Sequence, residues 1–97
     1  MLIGKVTGTV VSTLKDEKVT GLKFLVVETL NAKGEFTGSY VVAADSVGAG
    51  IGEVVLYATG SSARQTELTL NKPVDAVIMA IIDSFEVAGK SVYRKNR

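Results

Sequence analysis

The stretch "DSVGAGIGE", Asp45 to Glu53, holds three glycines within five residues. That density suits a loop that cradles phosphate on its backbone amides. The dinucleotide fingerprint, however, is GxGxxG between a strand and a helix, because the helix N-terminus supplies the amides that hold pyrophosphate. Here the spacing is GxGxG, and the residues that follow, "EVVLYAT", read as a strand. No GxxxxGK followed by Ser or Thr occurs either. Phosphate binding is disfavoured, and two readings remain: a strand-to-strand corner with positive φ at some of the glycines, or a place where backbones converge around a symmetry axis.

A second stretch, "GSSAR" from Gly60 to Arg64, sets two serines beside an arginine. It is not GxSxG, and the chain has no His to act as base. Ser61 and Ser62 therefore read as capping and hydrogen-bonding residues, with Ser62 and Gln65 at capping-box spacing for a short helical turn. Arg64 suits a bidentate pair with a carboxylate, and Asp45, Glu53 and Asp75 are candidates within or across subunits. Asp75 and Asp83 do not form an acid/base pair. Eight residues apart on one extended strand, they stand roughly 26 Å from each other. Asp75 reads as a turn cap or ion-pair partner and Asp83 as a polar strand end.

With neither Cys nor His in the chain, disulfides, thiolate chemistry and the usual transition-metal ligands are excluded. No catalytic residue, cofactor or metal site is expected. The formal charge of +1 gives no bias toward nucleic acid or anionic lipid. The aromatics Phe24, Phe36, Tyr40, Tyr57, Phe85 and Tyr93 are not interleaved with basic residues as a stacking platform requires. The longest apolar run, Ala76 to Ile82, falls short of the roughly 20 residues of a membrane helix, and the N-terminal residues lack a secretory pattern. A cytosolic protein is expected. Its 97 residues suit one domain, yet 46% of them are hydrophobic and the mean hydropathy is +0.30. That surplus points to surface buried by other subunits.

The elements that must position these residues are strands. Residues 2–14 alternate, with Leu2, Val6, Val10 and Leu14 on one parity and Lys5, Thr7, Thr9 and Thr13 on the other. Gly4 and Gly8 share the apolar parity, which permits a sharp bend or a close crossing strand. Residues 15–21 read as a solvated loop, 22–30 as a second strand, 31–38 as a hairpin connection, "SYVVAA" as a third strand and 53–59 as a fourth. "VDAVIMAIIDSFEV", residues 74–87, reads as one last long strand by its β-branched content. "SVYR" is a short edge strand, and the tail "RKNR" reads as solvated or as touching a neighbour. The sum is an all-β, small five-stranded barrel of OB-like topology with a short helical turn. An open five-strand sheet is the alternative. Residues 1–87 are assigned to the barrel domain and 88–97 to a C-terminal extension.

Taken in order, "VTGTVVST", "VAADSVGAGIGEVVL", "GSSAR" and "PVDAVIMAIID" resemble the EutN/CcmL family of bacterial microcompartment vertex proteins, from Met1 to about Asp83. The resemblance implies a homopentamer that occupies the fivefold vertices of a polyhedral shell tiled by hexameric or pseudohexameric shell proteins. It implies a structural role, no enzymatic activity, no nucleic-acid or membrane partner, and a place in a microcompartment shell in the cytoplasm. By the same resemblance, Asp45, Gly48, Ala49, Gly50, Gly52, Glu53, Gly60, Ser61, Ser62, Arg64 and Asp75 are expected near the subunit interface and axial pore. Gly48, Gly50 and Gly52 would let backbones converge, while Glu53 and Arg64 would fix the angle. The alternative function is an OB-like binding module for single-stranded nucleic acid or a small ligand. The tail "GKSVYRK" leans the reading toward a catabolic compartment rather than a carboxysome.

Overall fold

The period-two alternation of the first residues forms β1 (Leu2–Thr9), with Gly4 and Val6 buried and Thr7 and Thr9 in solvent. The computed structural model describes residues 1–11, 21–60, 63, 65–66 and 74–95. β1 pairs antiparallel with β2 (Phe24–Leu30) on one side and with β4 (Val54–Thr59) on the other. β2 pairs antiparallel with β3 (Phe36–Asp45), and β5 (Ala76–Ile81) pairs antiparallel with β4. A short parallel contact of β5 with β3, Ala44 opposite Val77 and Asp45 opposite Ile78, closes the ring. The resulting order, β1-β2-β3-β5-β4, is a closed barrel of OB type. The open sheet is thereby excluded.

At Gly4, β1 leaves room inside the barrel for a side chain of β4. A Cβ at Gly4 would collide with Val27 Cγ1, lie 2.9 Å from the Glu28 carbonyl oxygen and 3.0 Å from Tyr57 Cε1. Glycine there leaves the centre to the Tyr57 ring, which is 2% exposed. The Tyr57 hydroxyl is hydrogen-bonded to Thr29 Oγ1 at 2.7 Å, so burying the ring strands no polar group. Val6, Leu25, Val27, Ala43, Val55 and Ile78 complete this interior cluster. Each large aliphatic side chain buried there contributes about 1.5–3 kcal/mol. A second cluster, Ala44, Ala58 and Val77 with Leu22, Ala63 and Val74, covers the outward side of β3, β4 and β5.

Three features differ from the sequence reading. β3 begins at Phe36 rather than Ser39, because the Asn31 carboxamide oxygen accepts the amides of Lys33 and Glu35 and closes the turn within 31–35. The apolar run after Val74 is not one strand. β5 stops at Ile81, and Ser84–Val87 is β6, which turns at Ala88 and Gly89 and pairs with β7 (Lys90–Arg94) in a separate two-stranded sheet. Third, Leu2 and Val10, on the apolar parity of β1, are 43% and 40% exposed. A register shift between Val6 and Gly8 ends the simple alternation. Leu14 lies outside the described residues.

Candidate assembly site at the glycine loop

The glycine loop is fixed from both ends by carboxylates. Asp45, at the end of β3 and 9% exposed, accepts the Val47 and Ala49 amides on Oδ1 at 3.1 and 3.2 Å. That turn carries Ala49 into the barrel interior, where it is 1% exposed. At the other end, Glu53 Oε1 accepts the Gly50 amide at 2.7 Å, and Glu53 N donates back to the Gly50 carbonyl at 3.2 Å. The loop then lies along β1: Gly52 N donates to Val6 O at 2.8 Å, and Val6 N donates to Glu53 O at 2.9 Å.

Gly48 and Gly52 have φ of +76° and +91°, so the turn itself requires them. Gly50 does not share that backbone conformation, and a Cβ there would sit 3.5 Å from Glu53 Oε1, an ordinary contact. The loop nonetheless turns two apolar side chains outward, Val47 at 38% and Ile51 at 68% exposed.

The structure thus brings together six of the residues singled out from sequence: Asp45, Gly48, Ala49, Gly50, Gly52 and Glu53. Gly60 and Asp75 form a second small group, joined by Gly60 N donating to the Asp75 carbonyl at 2.8 Å, with the Asp75 side chain exposed. Gly60 has a positive φ of 64°, and Ala63 is buried. Ser61, Ser62 and Arg64 lie outside the described residues.

One participant escaped the sequence reading. Lys95, in the segment read as a basic tail, places Nζ 2.9 Å from Glu53 Oε2. This hydrogen bond, followed by that from Gly50 N, holds the Glu53 carboxyl below its ordinary value of 4.5. The same bond holds the Lys95 ammonium above 10.5. The partners are 42 residues apart, so no local spacing announces the pair.

The chain and its barrel resemble known proteins. The family model described as ethanolamine utilisation protein EutN/carboxysome matches residues 1–83. The chain belongs to the EutN/CcmL family. Carboxysome shell vertex protein CcmL of Synechococcus elongatus is 50% identical over 98% of this chain and 96% of its own length. The microcompartment shell vertex protein EutN of Salmonella typhimurium is 41% identical over 98% of this chain and 96% of its own. A solved structure of Gloeobacter violaceus CcmL superposes with a TM-score of 0.95 at 44% identity, covering 100% of both chains. Within the EutN/CcmL family the likeness also extends to GrpN, a pentameric microcompartment shell protein of Rhodospirillum rubrum. Its TM-score is 0.79 at 46% identity, over 90% of this chain and 98% of that one.

Proposed function

We propose that five copies of this chain form a ring that caps the fivefold vertices of a bacterial microcompartment shell and closes its curvature. The observation that carries this reading is the likeness to a pentameric shell protein over nine-tenths of the chain, alongside vertex proteins matched over nearly all of it. The role is structural rather than enzymatic. A ring of five heterologous contacts closes only if every contact imposes a rotation of one fifth of a turn, so the contacting surface must be rigid. A loop pinned at Asp45 and Glu53 and seated on β1 has that rigidity, and the outward Val47 and Ile51 give it apolar area to bury.

The glycine loop and the Gly60–Asp75 group are the surfaces we assign to the subunit contact and the axial opening. The ring's rim meets hexameric or pseudohexameric shell tiles. The tail "GKSVYRK" leans the reading toward a catabolic shell. The alignments to carboxysome and to ethanolamine relatives both run through 98% of the chain. Identity is 45–50% to the CcmL proteins, 48% to the vertex protein GrpN and 37–41% to the EutN proteins, so identity does not separate a carboxysome from another microcompartment shell.

Native mass spectrometry of the purified chain at micromolar concentration tests the assembly. A dominant five-copy species is expected, and a purely monomeric or dimeric protein would overturn the reading. Co-expression with hexameric shell proteins tests the vertex role: closed polyhedra require this chain, and equal closure without it would refute the cap.

A further inference from the structure

The C-terminal hairpin stands apart from the barrel. Among the described residues β6 and β7 pair only with each other, and residues 84–95 follow the point at which the family match ends. Two strands alone are marginal in water, so the contacts this hairpin makes with the barrel decide where it sits. Its strands are stapled by Phe85 stacked on Tyr93, ring centroids 6.2 Å apart. Midway along β7, Val92 lies against the β2–β3 turn so closely that a Cβ at Gly34 would come within 3.0 Å of Val92 Cγ1. At its end, Lys95 N donates to the Asp83 carbonyl at 2.7 Å, which fixes the root of the lysine side chain. From that root Lys95 Nζ reaches Glu53 Oε2.

Glu53 divides its two oxygens between two parts of the chain. Oε1 holds the Gly50 amide inside the loop, and Oε2 holds the hairpin through Lys95. We infer that the hairpin and the glycine loop are one coupled unit, a strap in cis whose latch is Lys95, and that Lys95 is a positioning residue for the loop conformation. The two carboxylate oxygens are rigidly linked, so displacing the hairpin end reorients the acceptor that the Gly50 amide uses. The consequence for ring geometry rests on the pentamer reading above. The latch itself does not, since every contact in it lies within one chain.

Amide hydrogen exchange on the assembled full-length protein tests this. In Lys95→Ala, exchange at Gly50 is expected to rise about two- to fivefold, the range an exposed ion pair supports. The amides of β6 and β7 are expected to rise by no more than that. Lys95→Arg restores wild-type exchange, and 1 M salt brings the wild type to the level of Lys95→Ala, because screening removes what the substitution removes. Gly50 exchange unaffected by Lys95→Ala, or an arginine variant no better than the alanine one, overturns the latch. Acceleration confined to the hairpin amides overturns it too, since Lys95 would then stabilise the hairpin alone. Native mass spectra of the same samples keep the two readings distinct: absence of a five-copy wild-type species refutes the pentamer, whereas unchanged exchange within a five-copy species refutes the latch.

Discussion

The Asp45 carboxylate holds the Ala49 amide at 3.2 Å and the Val47 amide at 3.1 Å through a single oxygen, and so seats Ala49 in the barrel interior. Removing the carboxylate leaves the Ala49 amide without its acceptor in a buried position, at a cost of about 1–3 kcal/mol. Asp45→Ala is therefore expected to lower stability by that amount. Asp45→Asn keeps one carbonyl oxygen and is expected to lose about 1 kcal/mol or less. Chemical denaturation at fixed protomer concentration reads both, since stability of an oligomer depends on concentration. Equal losses would show that the carboxylate does not act through these two amides.

Gly4 is the position where one methyl group is most damaging. Its added Cβ meets Val27, the Glu28 carbonyl and Tyr57 together, and backbone atoms do not yield as a flexible side chain would. Gly4→Ala is expected to destabilise by about 1–3 kcal/mol, the range of overpacked cores. Gly8, whose Cβ would lie 3.7 Å from Val26 Cβ, is the control. Gly8→Ala is expected to cost clearly less in the same denaturation experiment, and equal effects would contradict the close crossing at Gly4.

The strands were legible because their signals are local, whereas the closure that excludes the open sheet pairs Ala44 with Val77, remote in sequence. Alternation in β1, β-branched runs in β2 and β5, and glycine at the apolar parity of β1 all follow from neighbouring residues. The break after Ile81 was not, since "IIDSFEV" continues the apolar run and what separates β5 from β6 is their different partners, β4 and β7. At the site, the loop could be located by its glycines, but their division of labour needed backbone angles. Gly48 and Gly52 serve the turn, while Gly50 does not share their positive φ. Lys95 was hidden for a further reason: basic tails are usually solvated, and its partner is remote in sequence.

That division of labour lets substitutions test folding and assembly separately. Gly48→Ala must hold an L-residue at φ near +76°, which costs about 1–2 kcal/mol although nothing crowds the added methyl group. Gly50→Ala faces only an ordinary contact with Glu53 and is expected to change stability by about 0.5 kcal/mol or less. Gly50→Phe, in contrast, is expected to reduce the five-copy species in native mass spectra while the barrel still folds by circular dichroism. Undiminished pentamer would mean that backbones do not converge at Gly50.

The Lys95–Glu53 latch has a pH window with two edges. The folded-state pKa of Glu53 is lowered from 4.5, chiefly by Lys95, so its contribution is present above the unfolded value and is lost as pH falls through the lowered one. The pKa of Lys95 is raised from 10.5 by Glu53, so its contribution is complete below the unfolded value and is lost as pH rises through the raised one. Asp83 and Tyr93 also face the lysine. The difference in stability between wild type and Lys95→Ala is therefore expected to be flat from about pH 5 to about pH 10 and to shrink outside it. A difference that changes near pH 7 would assign the effect to other groups.

Ile51 offers the most direct test of what the loop is for. It is 68% exposed at the tip of a loop that is otherwise pinned, and Val47 beside it is 38% exposed. An apolar side chain held out on a rigid loop gains nothing for the isolated chain, so Ile51→Ser is expected to leave monomer stability within about 0.5 kcal/mol of wild type. If the loop lies at the subunit contact, burying Ile51 there is worth about 1.5–3 kcal/mol at each interface, a factor of roughly ten or more in the association constant. Dilution series followed by native mass spectrometry should then show Ile51→Ser pentamers dissociating at concentrations where wild type stays assembled. Matching dissociation curves would place Ile51 in solvent within the ring and remove the loop from the contact.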